Sequence, residues 1–368
     1  MNLVALGGGT GLSALLAGLK EFVGDTGRKE DGTNPKRSGL IQTLTAIVTV
    51  SDDGGSSGRL REEFQMLAPG DIRNCMLALS EDEQLMSRLF RHRFRSKGEL
   101  QDHSFGNLFL TALTAVTGDF LEAIKLSSEV LAIKGRIFPA TMSDVGLIAY
   151  LVDGTEVQGE SNISKSKMAI KKLRMQPEIV YPLKETIDAI ADADMITIGP
   201  GSLFTSIMPN LLVKGIPEAL SRSKAIKVYI CNIMTQPGET VDFTVADHVH
   251  AVFDYAQELS LDYVIVNSTA IPESMRLKYQ AEGSAQIGLR HCKQNAGSFA
   301  TIVSQYNGSI ARTICSDLIE VRTIQMDGEE REVLRHDPRK LSRLLISLTD
   351  PDYVARMQST EVSLAGNR

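Results

Sequence analysis

The chain has 368 residues, 43% of them hydrophobic and 23% charged, with a formal net charge of −6; it can bury one large α/β domain or two smaller ones, and it lacks the basic surplus of a nucleic-acid-binding face. Its four cysteines, Cys75, Cys231, Cys292 and Cys315, lie far apart without CxxC spacing, which argues against a disulfide framework or a zinc site and for free thiols. No apolar stretch approaches the roughly 20 residues of a membrane span and no basic segment precedes the first apolar run, so a cytoplasmic location is expected.

Short apolar runs alternate with amphipathic segments along the chain, the pattern of strands feeding crossover helices. Leu3–Leu6 reads as a first strand, and Leu12–Phe22 as a helix with Leu12, Leu15, Leu16 and Leu19 on one face. Asp25–Ser38, rich in Gly, Lys, Asp and Pro, reads as a solvated loop. Leu44–Val50 is a second buried strand, and Ile72–Val116 is mainly helical with a polar break at Ser96–Ser104. Arg136–Ser161 reads as a strand and hairpin pair, turning at Asp153-Gly154. Met195–Ile198, Lys227–Asn232 and Tyr263–Asn267 are further buried strands. The expected fold is an α/β, Rossmann-like, open and mostly parallel sheet with helices on both faces and a small β-hairpin insertion. Nothing marks an internal repeat or linker, so residues 1–350 are expected to form one domain and 351–368 a polar, frayed tail.

Ligands of open α/β sheets bind outside the carboxyl ends of the strands, and four such ends carry polar groups here. Gly7-Gly8-Gly9-Thr10-Gly11 lies between a strand and a helix. Its glycines allow close backbone approach to a phosphate, and the helix start supplies N–H donors. With Ala14 in the third glycine's place the GxGxxG pattern is weak alone, and a ligand-free turn would use the same residues. Asp52-Asp53-Gly54-Gly55-Ser56-Ser57 ends the second strand. Its adjacent carboxylates suit Mg²⁺ and bridged phosphates, although a helix cap with a glycine turn would also explain them. Gly199-Pro200-Gly201-Ser202 makes a second anion nest. Asn232, Thr235 and Gln236 follow a later strand and can read a base or sugar through hydrogen bonds.

Arg73 and Asn74 can add charge and amide contacts to a phosphate. His103-Ser104 invites a Ser–His catalytic reading, but chain neighbours rarely aim at each other and no GxSxG elbow surrounds Ser104. Ser104 is expected to cap a helix, with His103 and Asn107 lining the ligand pocket. A dehydrogenase is disfavoured because no acidic residue ends a second strand at the spacing a ribose needs.

The segments GGGTGLSALLAGLK, TAIVTVSDDGGSSGRLREE, APGDIRNCMLAL, HSFGNLFLTALT, IGPGSLFTSIMPNLLVKGI and CNIMTQPGET together resemble the gluconeogenesis-factor (YvcK-type) branch of the CofD-like family. The similarity runs from residue 1 to about Leu348 and includes RHDP at Arg335–Pro338. The family's namesake is 2-phospho-L-lactate transferase, acting on the deazaflavin Fo. That branch has threonine-proline after its first glycine loop, where Leu12-Ser13 stands here, and lacks the DDGGSSGRLR run.

The resemblance implies a Rossmann-like fold that binds UDP-sugars such as UDP-N-acetylglucosamine, and a role in cell shape, envelope synthesis and gluconeogenic growth. Carried over by motif, Gly8–Gly11, Asp53, Asn107 and Gly199–Ser202 are the implied ligand-binding positions. The transferase relatives use Mg²⁺, for which Asp52 and Asp53 are the implied ligands. No flavin, haem or zinc is expected. A protein partner in envelope synthesis and a homo-oligomer are compatible with this reading. Two functions stay open: a UDP-sugar-binding regulator, and a Mg²⁺-dependent transferase of a phosphorus-containing group. Asp25–Ser38 departs from the family pattern by its length.

Overall fold

The computed structural model describes residues 1–24, 39–81, 85–95, 97–287, 311–326 and 329–359; the expected loop at 25–38 lies outside them. Strand β1 (Asn2–Gly7) feeds helix α1 (Gly9–Leu19), which buries Leu12, Leu15, Leu16 and Leu19 and ends in a 3₁₀ turn. Strand β2 (Thr43–Val48) leads through the aspartate pair into α2 (Gly55–Phe64). Then come α3 (Gly70–Leu79), α4 (Leu85–Arg91), α5 (Phe105–Thr117) and α6 (Phe120–Val130). Ser104 caps α5 by accepting from the Asn107 amide, as its hydroxyl and position suggest.

Strand β3 (Arg136–Pro139) pairs in parallel with β2. It is thus an edge of the main sheet rather than a partner of the hairpin. The hairpin of β4 (Gly146–Leu151) and β5 (Glu156–Gln158) is joined through α7 (Glu160–Lys165) to a third antiparallel strand, β6 (Ile170–Gln176). The chain continues with α8 (Lys184–Ala191), β7 (Met195–Ile198) and a π-helical turn at Leu203–Ile207. Next are α9 (Met208–Leu211), α10 (Ile216–Arg222), β8 (Ile226–Ile230), α11 (Val245–Tyr255), β9 (Tyr263–Asn267) and α12 (Glu273–Ala281). Strand β10 (Arg312–Ser316) precedes an antiparallel pair, β11 (Ile319–Met326) and β12 (Glu329–His336). Helices α13 (Pro338–Ser347) and α14 (Pro351–Ser359) follow, α14 within the stretch expected to be a tail.

The main sheet has seven strands in the order β10-β9-β8-β7-β1-β2-β3, and every pairing is parallel. Successive residues of a strand point to opposite faces. Leu3, Val4, Ala5 and Leu6 are all buried, as are Met195 to Ile198 and Tyr263 to Asn267, so helices cover both faces, as a parallel sheet requires. From β1 the chain moves outward to β2 and β3, and later returns beside β1 to build β7 to β10 on the other side. The order therefore reverses between β1 and β7, where open sheets bind their ligands. Among the described residues no helix is long and apolar enough to cross a membrane.

Candidate functional site

At that reversal the loops after β1 and β7 touch. A Cβ built on Gly11 would lie 2.5 Å from the Pro200 carbonyl oxygen, so only glycine permits this approach. Beside the contact opens a cleft of about 380 Å³ lined by Gly8, Gly9, Thr10, Gly11, Gly201, Ser202, Asn232, Thr235 and Gln236, among others. The structure thus brings three of the four polar strand ends to one place. Asn232 Oδ1 accepts from the Gly201 amide at 3.4 Å and joins the second and third loops. Thr235 is partly spent on structure, because its hydroxyl accepts from the Ala285 amide at 2.9 Å. Gly199, at φ +84, is buried and shapes the turn behind the cleft wall.

The helix starts are not simply open. The Gly9 amide donates to Asp71 Oδ2 at 2.7 Å, so a carboxylate of the protein already occupies the first turn of α1. The second nest is filled likewise. Buried Glu239 accepts from the Ser202 hydroxyl at 2.5 Å and from the Phe204 amide at 3.3 Å. Burial pushes the Glu239 carboxyl above its ordinary range, against those hydrogen bonds. Among the described residues the amides of Thr10 and Gly11 have no protein acceptor and remain the free donors of the α1 first turn.

Both aspartates of the pair are engaged by backbone amides. Asp52 Oδ1 accepts from the Gly54 amide at 2.9 Å, and its other oxygen faces Gly70 at the start of α3. Asp53 Oδ1 accepts from the Ser161 amide at 2.8 Å, and its other oxygen faces Gly159 before α7. Asp53 thus caps the start of α7, whereas Asp52 closes a local turn onto Gly54 at the start of α2. Among the described residues no three His, Cys, Asp or Glu side chains are grouped to hold a metal ion. As arranged, one oxygen of each carboxylate is already taken by a backbone amide. Gly54 lets Ser161 approach closely, since a Cβ there would meet Ser161 Oγ at 2.9 Å.

His103, Asn107, Arg73 and Asn74 stand behind the cleft rather than in it. His103 Nδ1 lies 3.2 Å from Ser56 Oγ, and Asn107 Nδ2 donates to the same oxygen at 3.2 Å. They brace the first turn of α2. Burial, then the charge of Arg59, holds the His103 pKa below its usual value. The Ser104 hydroxyl donates to the Phe90 carbonyl at 3.2 Å, so Ser104 does not pair with His103, whose serine neighbour is Ser56. Arg73 Nη2 donates to Asn74 Oδ1 at 2.8 Å, and Asn74 in turn hydrogen-bonds Asp71. Burial lowers the Arg73 pKa to about 10, which keeps the guanidinium charged at neutral pH.

Several cleft groups escape a reading by motif. Glu160, on α7, enters from the insertion; burial, then the charge of Asp52, pushes its pKa up to about 7. Burial and Asp52 also raise Asp71 to about 6. From the far side come Tyr279, Leu334, Arg335 and His336. Tyr279 accepts from the Leu334 amide at 3.0 Å and fastens the β11–β12 pair to α12. Burial holds His336 near pKa 4, hence neutral, and its ring bonds the Cys231 backbone. The RHDP motif explains this wall: Asp337 accepts from the Arg339 and Lys340 amides and Pro338 opens α13, which fixes the two residues before them. A larger concavity of about 1180 Å³ lies beyond Asp53. It carries no α1 or β7 loop, and its Arg61 is matched by Asp144 at 2.6 Å.

A parallel sheet with glycine loops meeting at its reversal point, and a polar cleft above them, defines an open, doubly wound α/β protein with its cleft at the switch point. The chain belongs to the CofD family: the family model described as 2-phospho-L-lactate transferase CofD matches residues 3–303. It is 42% identical to the gluconeogenesis factor of Bacillus subtilis over 94% of this chain and 98% of that protein. It is 41% identical to the gluconeogenesis factor of Halalkalibacterium halodurans over 94% of this chain and 95% of the relative. A crystal structure of a Bacillus halodurans protein superposes with a TM-score of 0.77 at 41% identity, covering 94% of this chain and 99% of that one.

Proposed function

We propose that the protein is a cytoplasmic, UDP-sugar-binding regulator linked to gluconeogenic growth, cell shape and envelope synthesis, with UDP-N-acetylglucosamine as the type of ligand. The observation that carries this reading is the composition of the cleft along its length. Its middle offers the free Thr10 and Gly11 amides for a diphosphate. Its β8 side offers Asn232, Gln236, the Tyr279 ring and apolar Ile233 and Leu334, which suit a base. Its β2 side offers Glu160 and Ser164, whose oxygens suit sugar hydroxyls. The relatives named gluconeogenesis factor support the link to gluconeogenic growth. Signalling then requires a protein partner in envelope synthesis. Calorimetry with UDP-N-acetylglucosamine, NAD and Fo tests the reading: NAD binding at micromolar concentration without response to the UDP-sugar would overturn it.

A second reading, a transferase of a phosphorus-containing group, draws on the description of the matching family model and on the carboxylates near the cleft. Mg²⁺ bound to ligand phosphates would neutralise their charge during transfer. Here Asp52 or Asp53 would serve singly, completing a shell of phosphate oxygens and waters. The chain's part is to position the diphosphate on the glycine loops and to exclude water.

A further inference from the structure

We propose that Asp71 is a positioning residue, an internal anion that fills the phosphate position of the first glycine loop and is exchanged for a ligand phosphate, moving from the Gly9 amide to the guanidinium of Arg73. The inference rests on the reading above only in taking the ligand to carry a diphosphate.

Three observations carry it. Asp71 Oδ2 sits 2.7 Å from the Gly9 amide and against Gly8, where a Cβ would come within 2.8 Å of it. A carboxylate and a phosphate oxygen make the same demand on a helix start, so the two compete for this donor. Secondly, Arg73, only 9% exposed, keeps its Nε buried without any acceptor, while its Nη2 holds Asn74. An unmatched charged donor in the interior is costly; Asn74 bonds both Arg73 and Asp71, so a shift of Asp71 along that chain of contacts would match it. Thirdly, the other nest is built unlike this one. Glu239 there is 1% exposed and bonded to the Ser202 hydroxyl and the Phe204 amide. Glu239 is held by a hydroxyl and a backbone amide of its own nest, whereas Asp71 takes one backbone donor from the α1 start and one side-chain partner, Asn74, on its own helix. Because Asp71 opens α3, its release would pass ligand occupancy to α3 and to α5, which packs on it where Gly106 leaves room for the Arg73 side chain.

The probe is inorganic pyrophosphate, which needs no nucleotide subsite, with uridine as the uncharged control. Asp71→Asn, which removes the competing charge, is expected to bind pyrophosphate about tenfold more tightly than wild type and uridine no differently, roughly the effect of one partly screened like charge. Arg73→Lys should weaken pyrophosphate binding in the wild-type background and have no effect beside Asp71→Asn, since the exchanged carboxylate is then absent. Should the lysine variant unfold, hydrogen exchange at the wild-type Arg73 Nε–H replaces it and should slow when pyrophosphate is added. Equal or weaker pyrophosphate binding by Asp71→Asn, an equal Arg73→Lys effect in both backgrounds, or an Nε–H indifferent to pyrophosphate would each overturn the exchange. Tighter pyrophosphate binding without any UDP-sugar binding would leave the exchange standing and remove the UDP-sugar reading instead.

Discussion

The Pro338 carbonyl lies directly against Gly18, so that any Cβ at that position would collide with backbone. This contact packs α13 on α1 and thereby connects the helix that starts at the glycine loop with the RHDP turn that delivers Arg335 and His336. Neither partner is a flexible side chain, so the collision cannot be relieved by a rotamer. Gly18→Ala is therefore expected to cost about 1–3 kcal/mol despite alanine's better helix propensity. Urea denaturation measures it; an unchanged midpoint would show that the two helices slide apart freely.

Gly201→Val separates ligand approach from folding. A Cβ at Gly201 would stand 3.2 Å from the Ser206 Cβ and 3.3 Å from the Gly8 carbonyl oxygen, tight but adjustable. The branched methyls then crowd the cleft in which a phosphate must meet the backbone. We expect a folded variant whose UDP-N-acetylglucosamine affinity falls by more than about tenfold, the loss of roughly one charge-assisted hydrogen bond. Full affinity in a normally folded variant would make Gly199–Ser202 only a turn.

Much of the fold was legible because the buried strands are continuous apolar runs ending in glycine or amide residues. Met195–Ile198 and Tyr263–Asn267 fall where the sequence puts them. The C-terminal pair was not legible: IEVRTIQM and EEREVLRH alternate, but their charge masks the period. For the same reason β6, IKKLRMQ, did not announce itself as the third strand of the insertion. At the site, glycine loops are readable from local spacing, whereas the carboxylates that fill them are not. Asp71 and Glu239 reach Gly9 and Ser202 from 62 and 37 residues away, and only tertiary packing reveals which N–H groups are already taken. His103 and Asn107 have the residue types of a pocket lining, yet the hydroxyls they meet belong to α2.

Glu160 sets a pH dependence for the ligand-free protein. Burial and Asp52 push its pKa from the ordinary 4.5 to about 7, so the folded state holds this proton more tightly than the unfolded chain. Its relative stabilisation is complete below about pH 4.5 and is lost as the pH rises to about 7, beyond which a charged carboxylate faces Asp52 and Asp53. Glu160→Gln is expected to be more stable than wild type at pH 8 by about 1 kcal/mol, allowing for solvent screening. That advantage should disappear towards pH 4.5. Thermal unfolding across this range checks the direction; a difference that is constant with pH would remove Glu160 as its source.

Asp53 is where regulation and transfer make different demands. Its carboxylate caps α7 by accepting from the Ser161 amide at 2.8 Å, and α7 carries Glu160 and Ser164 into the cleft. In the regulatory reading Asp53 acts through that helix. Asp53→Asn keeps an acceptor for the amide but loses its charge, so ligand affinity should fall modestly, by roughly 1 kcal/mol, and equally with Mg²⁺ or EDTA. In the transferase reading the same oxygen-bearing group completes the shell of a phosphate-bound cation. Removing one anionic ligand then weakens binding only when Mg²⁺ is present. The first outcome is the expected one, because the Asp53 carboxylate is already engaged by the Ser161 amide of α7. The measurement is UDP-N-acetylglucosamine affinity of wild type and Asp53→Asn, each with Mg²⁺ and with EDTA. If the wild type binds far more tightly with Mg²⁺ and the variant loses that dependence, the capping role is secondary and the transferase reading takes precedence.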